Sequence, residues 1–289
     1  MNSALAAFIG AVLAFVVGDV LRIRRAHVVS SMERAGVGDA GRVARSMYRS
    51  LGRGLCELVF VGVGGPRALR AVHVPGAVLS RLRADGRGCV VATAHTGNWD
   101  LVACAVASAA PLTVVTKHFK VGFLDALWQG VRAARGVRLV AAGNAGRVVS
   151  RALAGGELVA MLVDQAPERS RAVVEAPFLG ATAVVDLSPA LTALRARVPL
   201  AAVFPLRLPD GTHTVSVAAM FEPPSLEERA SGARPARQWA EEVMREVTAL
   251  LDAHVRAHPA QWLWMHRRWK GAAISPKAVG PAALAGAGG

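Results

Sequence analysis

Short runs of β-branched and other apolar residues alternate with longer stretches of helical periodicity between Gly88 and Met220. The predicted strands are residues 89–94, 112–116, 137–141, 158–163, 172–176, 200–206 and 213–217. The predicted helices are residues 98–109, 122–135, 145–154 and 186–197, with a further helix at 235–258. Strand and helix in alternation predict an α/β fold in which helices flank a mostly parallel central sheet. Active sites in such sheets lie at the carboxyl ends of the strands.

The length of the chain fits one large catalytic domain. With 289 residues, size alone requires no second domain. We expect an N-terminal membrane anchor at residues 1–25, the catalytic domain at 26–270 and a tail at 271–289. Because the tail consists mainly of Gly, Ala and Pro, it is predicted to be disordered.

An apolar run at residues 4–17 is followed at once by the basic sequence Leu-Arg-Ile-Arg-Arg at 21–25. A cleavable signal peptide has its basic residues before the apolar run, so this order indicates a retained anchor helix. Basic residues beside an apolar segment stay on the cytoplasmic side, which predicts a cytoplasmic catalytic domain. The run is shorter than the roughly 20 residues of a full span. Shallow insertion, a re-entrant segment and a buried core helix therefore stay open.

The chain carries a formal net charge of +14 and is 53% hydrophobic, with a mean hydropathy of +0.36. Such a charge fits nucleic acid or an anionic lipid surface. Aromatic residues make up only 5% of the chain and no nucleic-acid-binding motif is present, so we expect a membrane partner and no nucleic acid. A predicted amphipathic helix at 41–61 carries a basic side that could lie on lipid or face solvent. An arginine-rich genomic composition is the alternative source of the charge.

No pattern typical of a metal or cofactor site is present. Cys56, Cys89 and Cys104 show no C-x-x-C spacing, which predicts buried structural thiols in a reducing compartment. The sequence also contains no H-E-x-x-H, no carboxylate cage, no P-loop and no dinucleotide-binding glycine motif. A serine hydrolase is disfavoured because no G-x-S-x-G elbow occurs. We therefore expect no metal and no cofactor.

Residues 95–100 read His-Thr-Gly-Asn-Trp-Asp and follow a predicted strand. A strand end, a glycine turn and the start of a helix are the context in which a catalytic group is presented. Asp100 falls in the first turn of that helix, where its carboxylate is expected to orient the His95 ring and stabilise the imidazolium. This arrangement predicts a general base, and a structural histidine is the alternative.

Five blocks in order resemble the lipid A late acyltransferase family, which includes lauroyl and myristoyl transferases and phosphatidylinositol mannoside acyltransferases. The segment 95–100 is similar to the family's H-x4-D/E motif. The other similar blocks are residues 115–117 followed by 124–125, then 162–165, 176–180 and 259–270, so that the resemblance covers about residues 15 to 270. Lys117 stands where the family often has Arg, and Val184-Val185-Asp186 replaces a small or Thr-containing segment. Lysine lacks the bidentate fork of arginine, which affects the expected contact with the acceptor headgroup.

The resemblance implies a glycerol-3-phosphate-acyltransferase-like fold of the lysophospholipid acyltransferase-like superfamily. It implies direct transfer of a fatty acyl chain from an acyl carrier protein or coenzyme A thioester to a hydroxyl of a membrane lipid or glycolipid. His95 would be the general base, oriented by Asp100, at the cytoplasmic side of the cell inner membrane. The implied substrate-binding residues are Asn98, Lys117, Asp164, Gln165, Arg267 and Arg268.

Alternatives stay open for several of these roles. Asp164 could orient a basic or acceptor group, or it could cap the turn after its strand. Arg267 and Arg268 could contact phosphate or carboxylate, or the tryptophan-rich block could be an interfacial belt or pack on the core. A basic lipid-binding or scaffold protein without catalysis, built on the same fold, is the alternative function.

Overall fold

The computed structural model describes residues 3–64, 69–84, 86–116, 122–168, 172–232 and 235–269. The helices are α1 Ser3–Phe15, α2 Arg25–Arg34, α3 Ala40–Gly64, α4 Gly76–Leu82, α5 Trp99–Ala107, α6 Gly122–Ala133, α7 Ala145–Ala154, α8 Ser188–Ala196, α9 Leu226–Ala230 and α10 Ala236–Ala257. The strands are β1 Val72–His73, β2 Cys89–Thr93, β3 Leu112–Thr116, β4 Val137–Ala141, β5 Leu158–Leu162, β6 Val173–Phe178, β7 Ala181–Asp186, β8 Leu200–Arg207 and β9 His213–Phe221. The predicted tail at 271–289 lies outside the described residues.

Seven strands form one central sheet in the order β1-β9-β8-β2-β5-β3-β4. Its strands pair in parallel except for β8 and β9, which are antiparallel. The predicted mostly parallel sheet with flanking helices is therefore confirmed. The predicted strand at 172–176 corresponds to β6, which does not join this sheet and instead pairs with β7 as an antiparallel hairpin. The prediction did not include β1 or β7.

The central strands are buried on both faces of the sheet. Along β2, Val90 and Ala92 belong to one core cluster, whereas Cys89 and Val91 belong to the other. The first cluster contains residues of α8, α10 and the tryptophan block near the C-terminus, and the second contains residues of α4 and α5. Burial on both faces explains why β2 is a continuous apolar run and does not alternate with polar residues.

The register of β2 and β5 determines the position of the candidate site. These adjacent parallel strands pair Thr93 with Leu162 in the last position of each. Two residues further along each chain segment come His95 and Asp164. Because parallel strands end at the same edge of a sheet, the two side chains are delivered to the same place.

The N-terminal apolar run forms α1 and a following π-helical turn, Val16–Val20. Helix α1 packs closely against α3 where Gly10 of α1 faces Gly52 of α3. A Cβ added at Gly10 would lie only 2.5 Å from the backbone nitrogen of Arg53, the residue after Gly52. Among the residues that the structure describes, no helix combines the length and the hydropathy needed to cross a membrane. The membrane role of this segment stays a prediction.

Candidate active site

His95 is held by a buried carboxylate from the neighbouring strand. Asp164 Oδ1 lies 2.9 Å from His95 Nδ1, and Asp164 Oδ2 accepts the backbone N–H of His95 at 3.1 Å. The indole Nε1–H of Trp262 donates to the same Oδ2 at 2.9 Å. Three donors therefore converge on a carboxylate that has no exposed side-chain surface. With Asp164 accepting from Nδ1–H, the neutral ring carries its lone pair on Nε2.

Because Asp164 binds Nδ1, Nε2 is the ring nitrogen of His95 that remains to accept a proton. The side chain keeps 12% of its area exposed, and Nε2 makes no hydrogen bond to any residue within the described ranges. Trp99 approaches the ring edge-on with a centroid distance of 4.9 Å, and the His266 ring lies at 5.1 Å. A ring fixed through Nδ1, with Nε2 as its remaining proton acceptor, is an arrangement suited to a general base.

Asp100 was expected to orient the His95 ring, but in the structure Asp164 binds the ring at Nδ1. In the first turn of α5 the Asp100 side chain points towards α6, where its Oδ1 accepts from Arg132 Nη1 at 3.2 Å. Both side chains are almost wholly buried, at 4% and 7% exposed. The topology of the sheet explains this difference from the expectation. The register of β2 and β5 places Asp164 beside the His95 ring, whereas Asp100 in α5 pairs with Arg132 of α6.

The charges around His95 change its ionisation. Burial lowers the pKa of His95, but the Asp164 charge and its hydrogen bond outweigh burial, so that the net pKa is raised. Asp100 adds to this rise through its charge. Burial raises the pKa of Asp164 in turn, yet His95 and Trp262 stabilise its charged form and bring its pKa well below the ordinary range. Burial raises the pKa of Asp100 to about 6 despite the opposing charge of Arg132.

The loop that carries His95 is fixed by the segment that follows α10. Leu263 donates its backbone N–H to the carbonyl of His95 at 3.1 Å, and Gly97 donates to the carbonyl of Gln261 at 3.0 Å. Gly97 has φ +55°, and a Cβ there would lie 3.1 Å from the backbone of Pro205. A larger residue at this position would be strained and crowded at once.

The predicted substrate-binding residues lie in different environments. Gln165 Nε2 is 3.1 Å from His266 Nε2, close to the His95 ring. Arg267 is exposed. Arg268 is 2% exposed and donates to the carbonyl of Val184 at 2.5 Å, so its predicted contact with substrate is corrected to a contact in the core. Lys117 lies outside the described residues.

Asn98 is also turned away from the open side of the ring. Its Oδ1 caps α5 by accepting from the Leu101 N–H at 3.2 Å, and its Nδ2 donates to Glu57 Oε2 at 3.0 Å. A role in binding substrate directly is therefore replaced by a structural contact. Neither Glu57 nor Trp262 was predicted from the sequence as a site residue. One signal for Glu57 was available, since it is an acidic residue between apolar positions of an otherwise basic helix.

Two pockets lie between α3 and the segment after α10. The larger of the two has a volume of about 450 Å³ and is lined by residues including Arg42, Ser46 and His258. The smaller is lined by residues including Gly97 and Trp99, which lie close to His95 in the sequence. Within the described part of the chain, no group of three or more His, Cys, Asp or Glu side chains could hold a metal ion.

The sequence model of the bacterial lipid A biosynthesis acyltransferase family matches residues 38–271. No curated protein matches the chain at a significant level. The family match spans most of the chain and includes His95, Asp164 and the block at 259–269 that closes the site. The chain therefore belongs to the bacterial lipid A biosynthesis acyltransferase family.

Proposed function

We propose that this protein transfers a fatty acyl chain from a thioester, carried by acyl carrier protein or coenzyme A, to a hydroxyl of a lipid A-like membrane lipid or glycolipid. The observation that supports the reaction best is the His95 ring, which is bound at Nδ1 by the buried Asp164 carboxylate and keeps 12% of its side chain exposed, so that Nε2 is the nitrogen left to accept a proton. Membership in an acyltransferase family supports the reaction class.

In the proposed mechanism His95 Nε2 removes the proton from the acceptor hydroxyl. The resulting oxygen nucleophile attacks the thioester carbonyl and forms the new C–O bond. The tetrahedral intermediate then collapses, so that the carbonyl re-forms, the C–S bond breaks and the thiolate leaves. The imidazolium returns its proton to the leaving sulfur, so that the enzyme ends in its starting state. Asp164 accepts the Nδ1–H throughout. Its hydrogen bond holds the ring in the orientation that proton transfer requires, and its charge stabilises the imidazolium.

Asp100 has a less direct role in this proposal. Its carboxylate is neutralised in part by Arg132, and its charge raises the pKa of His95 without a hydrogen bond to the ring. Gln165 and His266 are placed near enough to the ring to contact the reacting groups. Arg267 and Lys117 are proposed to contact anionic groups of the donor or the acceptor.

We also propose that α1 docks the enzyme on the inner membrane, with the catalytic domain on the cytoplasmic side. One side of α1 and the following turn packs on α3, where Ala14 is buried. The other side exposes large apolar side chains, among them Phe8 at 68% and Phe15 at 59%. An apolar helical face flanked by exposed arginines is typical of a helix that lies in the membrane interface.

The test uses the full-length protein in mixed micelles with a lipid A precursor as acceptor. Lauroyl-acyl carrier protein and lauroyl-coenzyme A are supplied as separate donors, and acylated product is measured by mass spectrometry. The wild type is expected to form product with at least one donor, whereas His95→Ala is expected to form none above background. A folded wild type that forms no product with either donor but binds the acceptor lipid would contradict the proposal and favour the non-catalytic lipid-binding alternative.

A further inference from the structure

Glu57 of α3 is the centre of a buried polar cluster behind the His95 loop. Its carboxylate is only 15% exposed and accepts two hydrogen bonds from Arg207, at 2.5 and 2.9 Å. His213 Nε2 lies 3.1 Å away, and Arg53 donates from the preceding turn of α3 at 2.9 Å. Burial raises the pKa of Glu57, but the hydrogen bonds from His213 and Arg207 outweigh it, so that the pKa is well below the ordinary range.

One connection from Glu57 to the loop passes through Asn98. The Asn98 Nδ2 donates to Glu57 Oε2 and also to the carbonyl of Gly54, which ties it to α3. Because the Asn98 Oδ1 caps α5, the amide is fixed at both ends. Asn98 lies three residues after His95 and directly before α5, so α3 determines where the loop ends and the helix begins.

A second connection passes through the end of β8. The bidentate pair with Glu57 fixes the Arg207 side chain, and the backbone N–H and carbonyl of Arg207 are both bound by the Gln261 side chain, at 2.8 and 2.9 Å. The Gln261 carbonyl in turn accepts the N–H of Gly97. Glu57 therefore reaches the His95 loop from two sides, although it contacts neither the His95 ring nor Asp164 in the described structure.

We propose that Glu57 is a positioning residue for the reaction: through Asn98 and Arg207 it sets the place and orientation of the loop that presents His95 to substrate. The proposal rests on the proposed function. A buried carboxylate with charged partners is costly to disturb, because removing its charge leaves Arg207, 9% exposed, without its ionic partner. Small shifts of a catalytic group have large effects on rate, since a displacement of about 1 Å can cost about 10²-fold.

The experiment compares Glu57→Gln with Glu157→Gln as the matched control. The Glu157 carboxylate is similarly covered, at 17% exposed, and is paired with Arg138. However, Glu157 lies at the amino end of β5, whereas His95 lies beyond the carboxyl end of the adjacent β2. Glu57→Gln is expected to lower kcat by about 10- to 10²-fold with KM changed less than about twofold. Glu57→Asp, which keeps the charge, is expected to recover part of the loss, and Glu157→Gln is expected to keep the wild-type kcat.

A second readout does not depend on turnover. In the ¹⁵N-histidine NMR spectrum, assigned with His95→Gln, the His95 Nδ1–H signal reports its hydrogen bond to Asp164. Glu57→Gln is expected to shift or broaden this signal, and Glu157→Gln is expected to leave it unchanged. If Glu57→Gln changed the His95 signal but the wild type transferred no acyl chain, the proposed function would be contradicted while the positioning role would be kept.

Three results would overturn the proposal for Glu57. In the first, kcat and the His95 signal stay at their wild-type values in folded Glu57→Gln. In the second, KM rises alone, which would make Glu57 a binding group. In the third, Glu57→Gln fails to fold, and the folded Arg207→Gln variant, which breaks the same ion pair, keeps the wild-type kcat and His95 signal, which would make the cluster structural only.

Discussion

Arg132 Nη1 lies 3.2 Å from Asp100 Oδ1, and each side chain is more than nine-tenths buried, so the acidic residue of the H-x4-D motif is one half of a buried ion pair between α5 and α6. Removing one partner of such a pair leaves an uncompensated charge in the protein interior.

We therefore expect Asp100→Ala to lower the free energy of unfolding by roughly 3–5 kcal/mol. Asp100→Asn keeps an acceptor for Arg132 and is expected to cost less. Urea denaturation followed by circular dichroism measures both. Unchanged stability of Asp100→Ala, together with a large loss of activity, would show that Asp100 acts on catalysis and does not stabilise the α5–α6 contact.

Asp164→Asn is expected to reduce kcat/KM by about 10²–10⁴-fold, because the ring loses the acceptor that fixes its tautomer and stabilises the imidazolium. The pH profile gives the sign of the electrostatic effect. His95 must be neutral to accept a proton, and its raised pKa places the acidic limb of kcat/KM above the ordinary histidine value of about 6.5. Removing the Asp164 charge lowers this pKa, so the limb of the residual activity should move to lower pH. A limb that stayed in place in Asp164→Asn would show that another group titrates.

The two adjacent arginines near the C-terminus are expected to respond differently to substitution. Arg268 is buried over the Phe178 ring, and desolvation lowers its pKa to about 10, so Arg268→Gln should lower the melting temperature. Arg267 is exposed, and Arg267→Gln should leave the melting temperature unchanged while it raises KM for the anionic donor or acceptor. Differential scanning fluorimetry and initial-rate kinetics on the two single variants separate these outcomes. A lowered kcat with unchanged KM in Arg267→Gln would contradict the binding role.

Replacing Phe8 and Phe15 together with Ser is expected to weaken binding to anionic vesicles, because the pair supplies much of the exposed apolar surface of α1. Leu226→Ser is the control, since Leu226 is 52% exposed but lies on the distant α9. Cosedimentation with vesicles of phosphatidylethanolamine and phosphatidylglycerol measures the bound fraction. Equal binding by the wild type and the Phe8/Phe15 variant would exclude the proposed docking surface.

Local patterns predicted the central sheet because each central strand is a short apolar run. Cys89 to Thr93 and Leu158 to Leu162 are buried on both faces, so their sequences are continuously apolar and easy to recognise. The two-residue β1 has no such pattern, and β6 reads like any other strand although it lies in a separate hairpin. Membership of a sheet depends on pairing partners that are distant in the chain, and these leave no local signal.

The same limit explains why the sequence assigned the orientation of the His95 ring to Asp100, although it also named Asp164 as a residue that could orient a basic group. His95 was found because its strand, turn and helix are contiguous in the sequence. Its hydrogen-bond partner Asp164 is 69 residues away and becomes adjacent only through the β2–β5 register. The opposite error occurred for Arg268, where a basic residue in a motif suggested a surface charge and only the fold shows that it packs inside. Trp262 and Glu57 act through contacts between distant segments as well.

The contact between Gly10 and Gly52 has a practical consequence for expression of the protein. A truncation that begins after the apolar run is the usual way to make such a chain easier to handle. Here it would remove α1 from the α3 surface at Gly52, where the chain has no side chain to cover its backbone, and it would uncover the Tyr48 ring that packs on Gly18. The truncated protein would lose the exposed apolar side of α1 but would expose a new surface on α3, the helix that carries Glu57. Detergent or lipid added to the intact chain should therefore yield better-behaved samples than removal of its first 20 residues.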